Sequence, residues 1–91
     1  MKYPFVECIV NERGNAVKNQ FIIQYNEGVT FQSYHTIIAC FRIGNTPVID
    51  ISYRSLSQTT KRYLKIFLSE SYKETCRKVE EGEYILDNLN A

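Results

Sequence analysis

The hydrophobic pattern of this 91-residue chain changes period once along its length, and that change limits the folds open to it. Up to about Ile51, apolar residues alternate with polar ones or form short runs rich in β-branched and aromatic residues, as in Thr36–Ile43. From Ser57 onward they recur at the three- and four-residue spacing of one helix face. A sheet-forming half followed by a helical half predicts an α+β fold.

The first half predicts an antiparallel meander of four or five strands over about residues 5–51. The β-forming stretches Phe5–Val10 and Val17–Tyr25 flank the turn residues 11–15. No segment between the strands is long enough for the crossover that a parallel pair needs. Because a chain of this length builds only one core, we expect a single domain, residues 1–91.

The second half predicts one long or two short helices over about residues 57–81, packed on the sheet. Ser55–Gln58 fits a capping box at the helix start. Ser71–Glu74 fits a second capping box, so the apolar stripe is compatible with a break at residues 69–71 as well as with a continuous helix. After these helices, Tyr84–Leu86 is apolar enough to dock as an edge strand or an anchored tail.

The residue types that catalysis or metal binding requires are sparse. His35 is the only histidine, and Cys40 is five positions away, which on a strand puts the two side chains on opposite faces and about 16 Å apart. The cysteines, which include Cys8 and Cys76, are spaced too widely for a zinc site or a disulfide framework. We expect a non-enzymatic protein with no catalytic residue, no cofactor and no metal.

The sequence also predicts a cytoplasmic protein without membrane contact. The longest apolar run, Ile37–Phe41, is far shorter than the roughly 20 residues of a membrane-spanning helix. Pro4 and Glu7 interrupt the region where a signal peptide needs an apolar run.

Basic residues collect at the start of the helical half. Residues 51–69 contain four bases and no acid, whereas residues 79–91 contain four acids and no base, which predicts a bipolar molecule. The four bases are Arg54, Lys61, Arg62 and Lys65. A basic face beside Tyr34, Tyr53 and Tyr63 is what a single-stranded nucleic-acid binder uses, but the same charges fit a solvated helix or a surface that docks another protein.

A family resemblance rests on about residues 29–68. This segment contains the run Thr30–Ala39, then Tyr53, Ser57–Thr60 and Tyr63–Leu68. It resembles short uncharacterised proteins of bacteriophages and mobile elements, whose signature reads approximately F-x-S-Y-x-x-I-I-A, then Y-S-x-T-T-x-x-x-L-x-x-F-L. The resemblance implies a phage-related accessory protein in the cytoplasm of a host cell.

We expect four polar residues of this segment to lie together where a strand meets the helix start. They are Ser33, Ser57, Thr59 and Thr60. They fit either a polar cluster that faces a ligand or a hydrogen-bonded joint that holds strand and helix in register, and we predict the joint.

Three functions remain open on the sequence. We predict a small non-enzymatic, phage-related protein that binds a host or phage protein and inhibits host or defence machinery, as anti-CRISPR proteins do. The alternative is a single-stranded DNA- or RNA-binding module that uses the basic helix face. The third is self-association as a homodimer, since a thin core and an exposed strand edge favour dimers.

Overall fold

The computed structural model describes residues 4–91 and has an α+β fold, as the sequence predicts. A six-stranded sheet contains β1 (Phe5–Val10), β2 (Ala16–Tyr25), β3 (Gly28–Ser33), β4 (Thr36–Arg42), β5 (Val48–Asp50) and β6 (Ile85–Asp87). The helices are α1 (Gln58–Leu68) and α2 (Tyr72–Glu80). Neither helix is long and apolar enough to cross a membrane.

The strands lie in the sheet in the same order as in the chain. Neighbours from β1 to β5 pair antiparallel through short turns, which confirms the predicted meander. The sheet has one strand more than the predicted four or five, because β6 returns after both helices and pairs parallel to β5, which confirms the edge-strand alternative for Tyr84–Leu86. The helical segment supplies the long connection that a parallel pair requires.

The predicted helical region forms two helices rather than one. The Ser71 hydroxyl accepts the Glu74 backbone N–H at 3.1 Å and caps α2, while Ser69 takes a left-handed conformation with φ of 57°. The prediction that the first helix is capped at Ser55 is wrong. Ser57 is the cap of α1, because residues 51–55 form a separate 3₁₀ helix.

The core lies between the helices and one face of the sheet. One cross-strand row on this face is apolar from β2 to β5 and consists of Ile22, Phe31, Ala39 and Ile49. The Phe67 ring of α1 stacks on Phe31 with centroids 5.7 Å apart, and Leu64 is fully buried. The aromatic stack and the buried leucine hold α1 across the middle of the sheet.

The opposite face of the sheet is covered by neither helix. One of its cross-strand rows runs over all six strands and consists of Val6, Ile23, Thr30, Cys40, Val48 and Ile85. A second row consists of Cys8, Phe21, Gln32 and Ile37. These two rows define the open face, which contains no charged side chain.

The C-terminal segment is held against the sheet by a buried carboxylate. Asp50, which is 3% exposed, accepts hydrogen bonds from the backbone N–H groups of Ser52 at 3.1 Å and Leu89 at 2.8 Å. The Asn90 amide pairs with both backbone groups of Ile37, at 2.7 and 2.9 Å. Burial raises the pKa of Asp50, but the hydrogen bonds outweigh this effect and leave its pKa below the usual value.

We expect Asp50→Asn to lower the free energy of unfolding at pH 7 by about 1–3 kcal/mol, because buried donors lose an acceptor. A carboxyl whose pKa is lowered by folding stabilises the protein above its unfolded pKa of 3.8, and this contribution is lost as the pH falls through the folded pKa. Thermal unfolding should therefore separate the variant from the parent at pH 7 and much less at pH 2.

Asp87→Asn is the control, since Asp87 is the exposed register partner of Asp50 on β6. It should change the unfolding temperature little at either pH. An Asp50→Asn deficit of equal size at pH 7 and pH 2 would contradict the role assigned to the carboxylate.

Candidate functional site

A cleft of about 550 Å³ lies between α1 and the turn that joins β1 to β2. β2 begins at Ala16, but it pairs with β3 only from Gln20 onward. Its first residues therefore project past β3 and carry the β1–β2 turn to α1. Inside the turn, the Asn11 side chain accepts the backbone N–H groups of Arg13 and Asn15 at 2.9 and 3.0 Å. We call this feature the basic cleft; its lining residues are Asn11, Glu12, Arg13, Arg62, Tyr63, Lys65 and Ile66.

Three cations and one apolar side chain determine the chemistry of the basic cleft. Arg13, Arg62 and Lys65 are exposed, and none of them has an ion pair within residues 4–91. Ile66 is 48% exposed among them, and Glu12 is the one acid in the lining. The cleft can therefore accept an apolar group surrounded by negative charge.

The two other predicted basic residues face the second helix. The Arg54 guanidinium forms an ion pair with Glu80 at 2.8 Å and lies 5.3 Å from the Tyr53 ring centroid. The Lys61 ammonium lies 4.6 Å from the centroid of Tyr72. The predicted basic face is thus divided, and only its Arg62–Lys65 side belongs to the basic cleft.

The acidic end of the chain is largely paired within the molecule. Arg77 forms ion pairs with Glu74, Glu81 and Glu83. Together with the Arg54 pair, these contacts occupy three of the four carboxylates that predicted a negative pole, namely Glu80, Glu81 and Glu83 but not Asp87. The unpaired positive charge at the basic cleft is consequently the stronger electrostatic feature of the described residues.

Two of the three candidate stacking tyrosines, Tyr34 and Tyr53, do not border the basic cleft, and the third, Tyr63, lines it but is only 7% exposed. Tyr53 is 4% exposed, and its hydroxyl accepts a hydrogen bond from Arg54 Nε at 2.9 Å. Tyr34 is 52% exposed but lies in the turn between β3 and β4. Tyr53 is therefore part of the core rather than an exposed stacking surface, in contrast to the sequence-based expectation.

The polar residues at the start of α1 hydrogen-bond to one another. The Ser57 hydroxyl donates to Thr60 Oγ1 at 3.0 Å, and Thr60 Oγ1 lies 2.9 Å from Ser33 Oγ. Thr60 and Ser33 are buried, whereas Thr59 is exposed. Gln20, the register partner of Ser33, is fully buried nearby, and its amide has no hydrogen-bond partner among the described residues.

The residues considered for catalysis lie apart from the basic cleft. His35 is exposed in the turn between β3 and β4, and Cys40 is buried on the open face. Within residues 4–91, no three His, Cys, Asp or Glu side chains converge as metal ligands would.

Sequence reasoning missed Arg13 and Ile66. Arg13 sits in a turn 49 positions before Arg62, so no local pattern links the two cations. Ile66 is an apolar residue on the polar face of α1, next to Lys65 and outside the buried face of the helix. An isoleucine at such an exposed position was the sequence signal that could have indicated a binding surface.

Comparison with known proteins identifies one family. The sequence profile of a family described as "Family of unknown function (DUF8033)" matches residues 5–83. No curated protein and no solved structure matches the chain at a significant level.

If the polar residues at the start of α1 act as a joint, Thr60→Val should lower the free energy of unfolding by about 1–2 kcal/mol, because the buried Ser33 hydroxyl loses its partner. Thr59→Val, the matched exposed control, should stay within about 0.5 kcal/mol of the parent. In urea unfolding, the Ser33→Ala and Thr60→Val losses should not add. A Thr60→Val protein as stable as the parent would exclude the joint.

Proposed function

The chain belongs to the DUF8033 family of unknown function, and we propose that it acts without catalysis, by binding an acidic partner protein at the basic cleft. The observation that carries this proposal is the exposed Ile66 among three unpaired cations. Protein interfaces commonly place an apolar anchor at the centre and charges at the rim. The matching partner surface presents an apolar side chain flanked by Asp or Glu.

Charge supports a protein partner in a second way. The cations lie on two elements, with Arg13 on the β1–β2 turn and Arg62 and Lys65 on α1, so they enclose the cleft from both sides. Unpaired charges gathered on one surface raise the rate at which an oppositely charged partner associates. Affinity should therefore fall with added salt, while the apolar anchor retains part of it.

We also propose the biological setting as phage or mobile-element biology, in which the partner is a host or phage protein and binding inhibits host or defence machinery. Its support is the resemblance of residues 29–68 to short phage proteins. A chain of 91 residues that contains a concave charged surface is large enough to block a partner's surface, which requires contact area rather than catalysis.

Single-stranded nucleic acid is the second candidate, because Arg13, Arg62 and Lys65 are also suitable for phosphate contacts. The aromatic platform that such binders use is absent from the lining, since Tyr63, the one aromatic residue there, is only 7% exposed. For this reason we rank nucleic acid below a protein partner.

We expect Lys65→Glu to reduce recovery of the partner from host lysate at least tenfold, because it reverses a charge at the cleft. The measurement is affinity capture with tagged protein, with and without nuclease. Lys73→Glu, an exposed charge reversal on α2 outside the cleft, is the matched control and should bind normally.

Ile66→Ser should weaken the same interaction without changing the net charge. Binding that survives Lys65→Glu and Ile66→Ser would contradict the proposed site. Binding that disappears on nuclease treatment would replace the protein partner with nucleic acid.

A further inference from the structure

The open face differs from an ordinary solvated sheet face in its composition. One of its rows crosses all six strands and the other crosses β1 to β4, and only Thr30 and Gln32 among their side chains are polar. Val6 and Ile85, at the two edges, are 56% and 50% exposed. An antiparallel sheet with one solvated face normally alternates apolar and polar residues, whereas here both faces are apolar.

We propose that the open face is the interface of a homodimer in which two copies of this chain pack sheet against sheet, with their helices on the outside. Two such sheets form a sandwich whose strand directions differ by about 30°. The inference is independent of the proposed function, because it uses the face of the sheet opposite the helices and leaves the basic cleft of each copy accessible.

The charge of the open face favours a second copy over a different protein. Under two-fold symmetry a surface meets itself, so any charge near its centre would oppose a like charge. The two rows contain none; by strand alternation, the charged residues on this side include Arg42, Asp50 and Asp87, which lie at the ends of β4, β5 and β6 and outside the two rows. The formal net charge of +1 adds no long-range repulsion between copies.

The size of the open face is adequate for a dimer of moderate affinity. Six strands about 4.8 Å apart, which have three to ten residues and on average about six, give a face of roughly 480 Å² in projection. Two faces in contact therefore remove at most roughly 1,000 Å² from water, since Thr30 and Cys40 are already buried in one copy, and this is near the lower limit for a specific interface. We accordingly expect a dissociation constant on the order of micromolar.

Sedimentation velocity of the full chain between about 1 and 200 µM tests the proposal. The expected result is a concentration-dependent shift from the 10.7 kDa monomer to twice that mass. Ile23→Glu, on β2 within the six-strand row of the open face, should weaken association at least tenfold. Ile43→Glu is the matched control, since Ile43 is 80% exposed in the turn after β4 and should leave the dimer intact.

A second measurement needs no variant and so does not depend on whether Ile23→Glu folds. Cys8 lies on the open face and Cys76 on α2, and both are partly exposed in one copy. Raising the protein concentration should slow alkylation of Cys8, read by peptide mass spectrometry, and leave the Cys76 rate unchanged.

A monomer at every concentration would overturn the proposal, including the case in which another protein covers the face. So would a dimer that Ile23→Glu leaves intact while Cys8 stays equally reactive, or one that Ile43→Glu dissociates.

Discussion

The packing of α1 on one face of the sheet is the contact on which the rest of the structure depends. Phe67 and Leu64 fix the helix over Phe31, and the hydroxyl contact between Thr60 and Ser33 fixes where the helix starts. Because the two helices have only 11 and 9 residues, they cover one face of the sheet and leave the opposite face open. The same contact turns the outer surface of α1 towards the β1–β2 turn, where the basic cleft forms.

Much of the fold could be predicted because local patterns determine it. Alternation and turn residues located the strands, and the serine at position 71 marked the break between the helices. Docking of the segment near Ile85 could be predicted from its apolar residues, but its parallel pairing with β5 could not, because Ile85–Asp87 has too few residues for a period and joins the sheet through long-range contacts. The N-cap of α1 was misplaced by two residues because the 3₁₀ helix after Asp50 has no strong sequence signal.

The candidate site was predicted only in part, for a related reason. Arg62 and Lys65 follow from the polar face of α1, but the ion pair between Arg54 and Glu80 depends on how α2 packs against the preceding segment. The clustering of basic residues in the sequence therefore predicted a larger positive face than the structure has. The clustering of acids likewise predicted too much negative charge at the C-terminal end, because Arg77 forms ion pairs with acids on both sides of it in the sequence. The burial of Tyr53 could not be predicted for the same reason. A tyrosine next to an arginine has the same local sequence whether its ring lies in the core or on the surface.

The match between strand order and chain order has a consequence for how the molecule folds. Each pairing from β1 to β5 closes only a short turn, so little chain entropy is lost and the meander can form early. Pairing β5 with β6 must instead close a loop of residues 51–84 that contains both helices, and we expect it to come last. Until β6 docks, β5 is an unprotected edge next to an apolar face, which makes this the stage of folding at which aggregation competes most strongly.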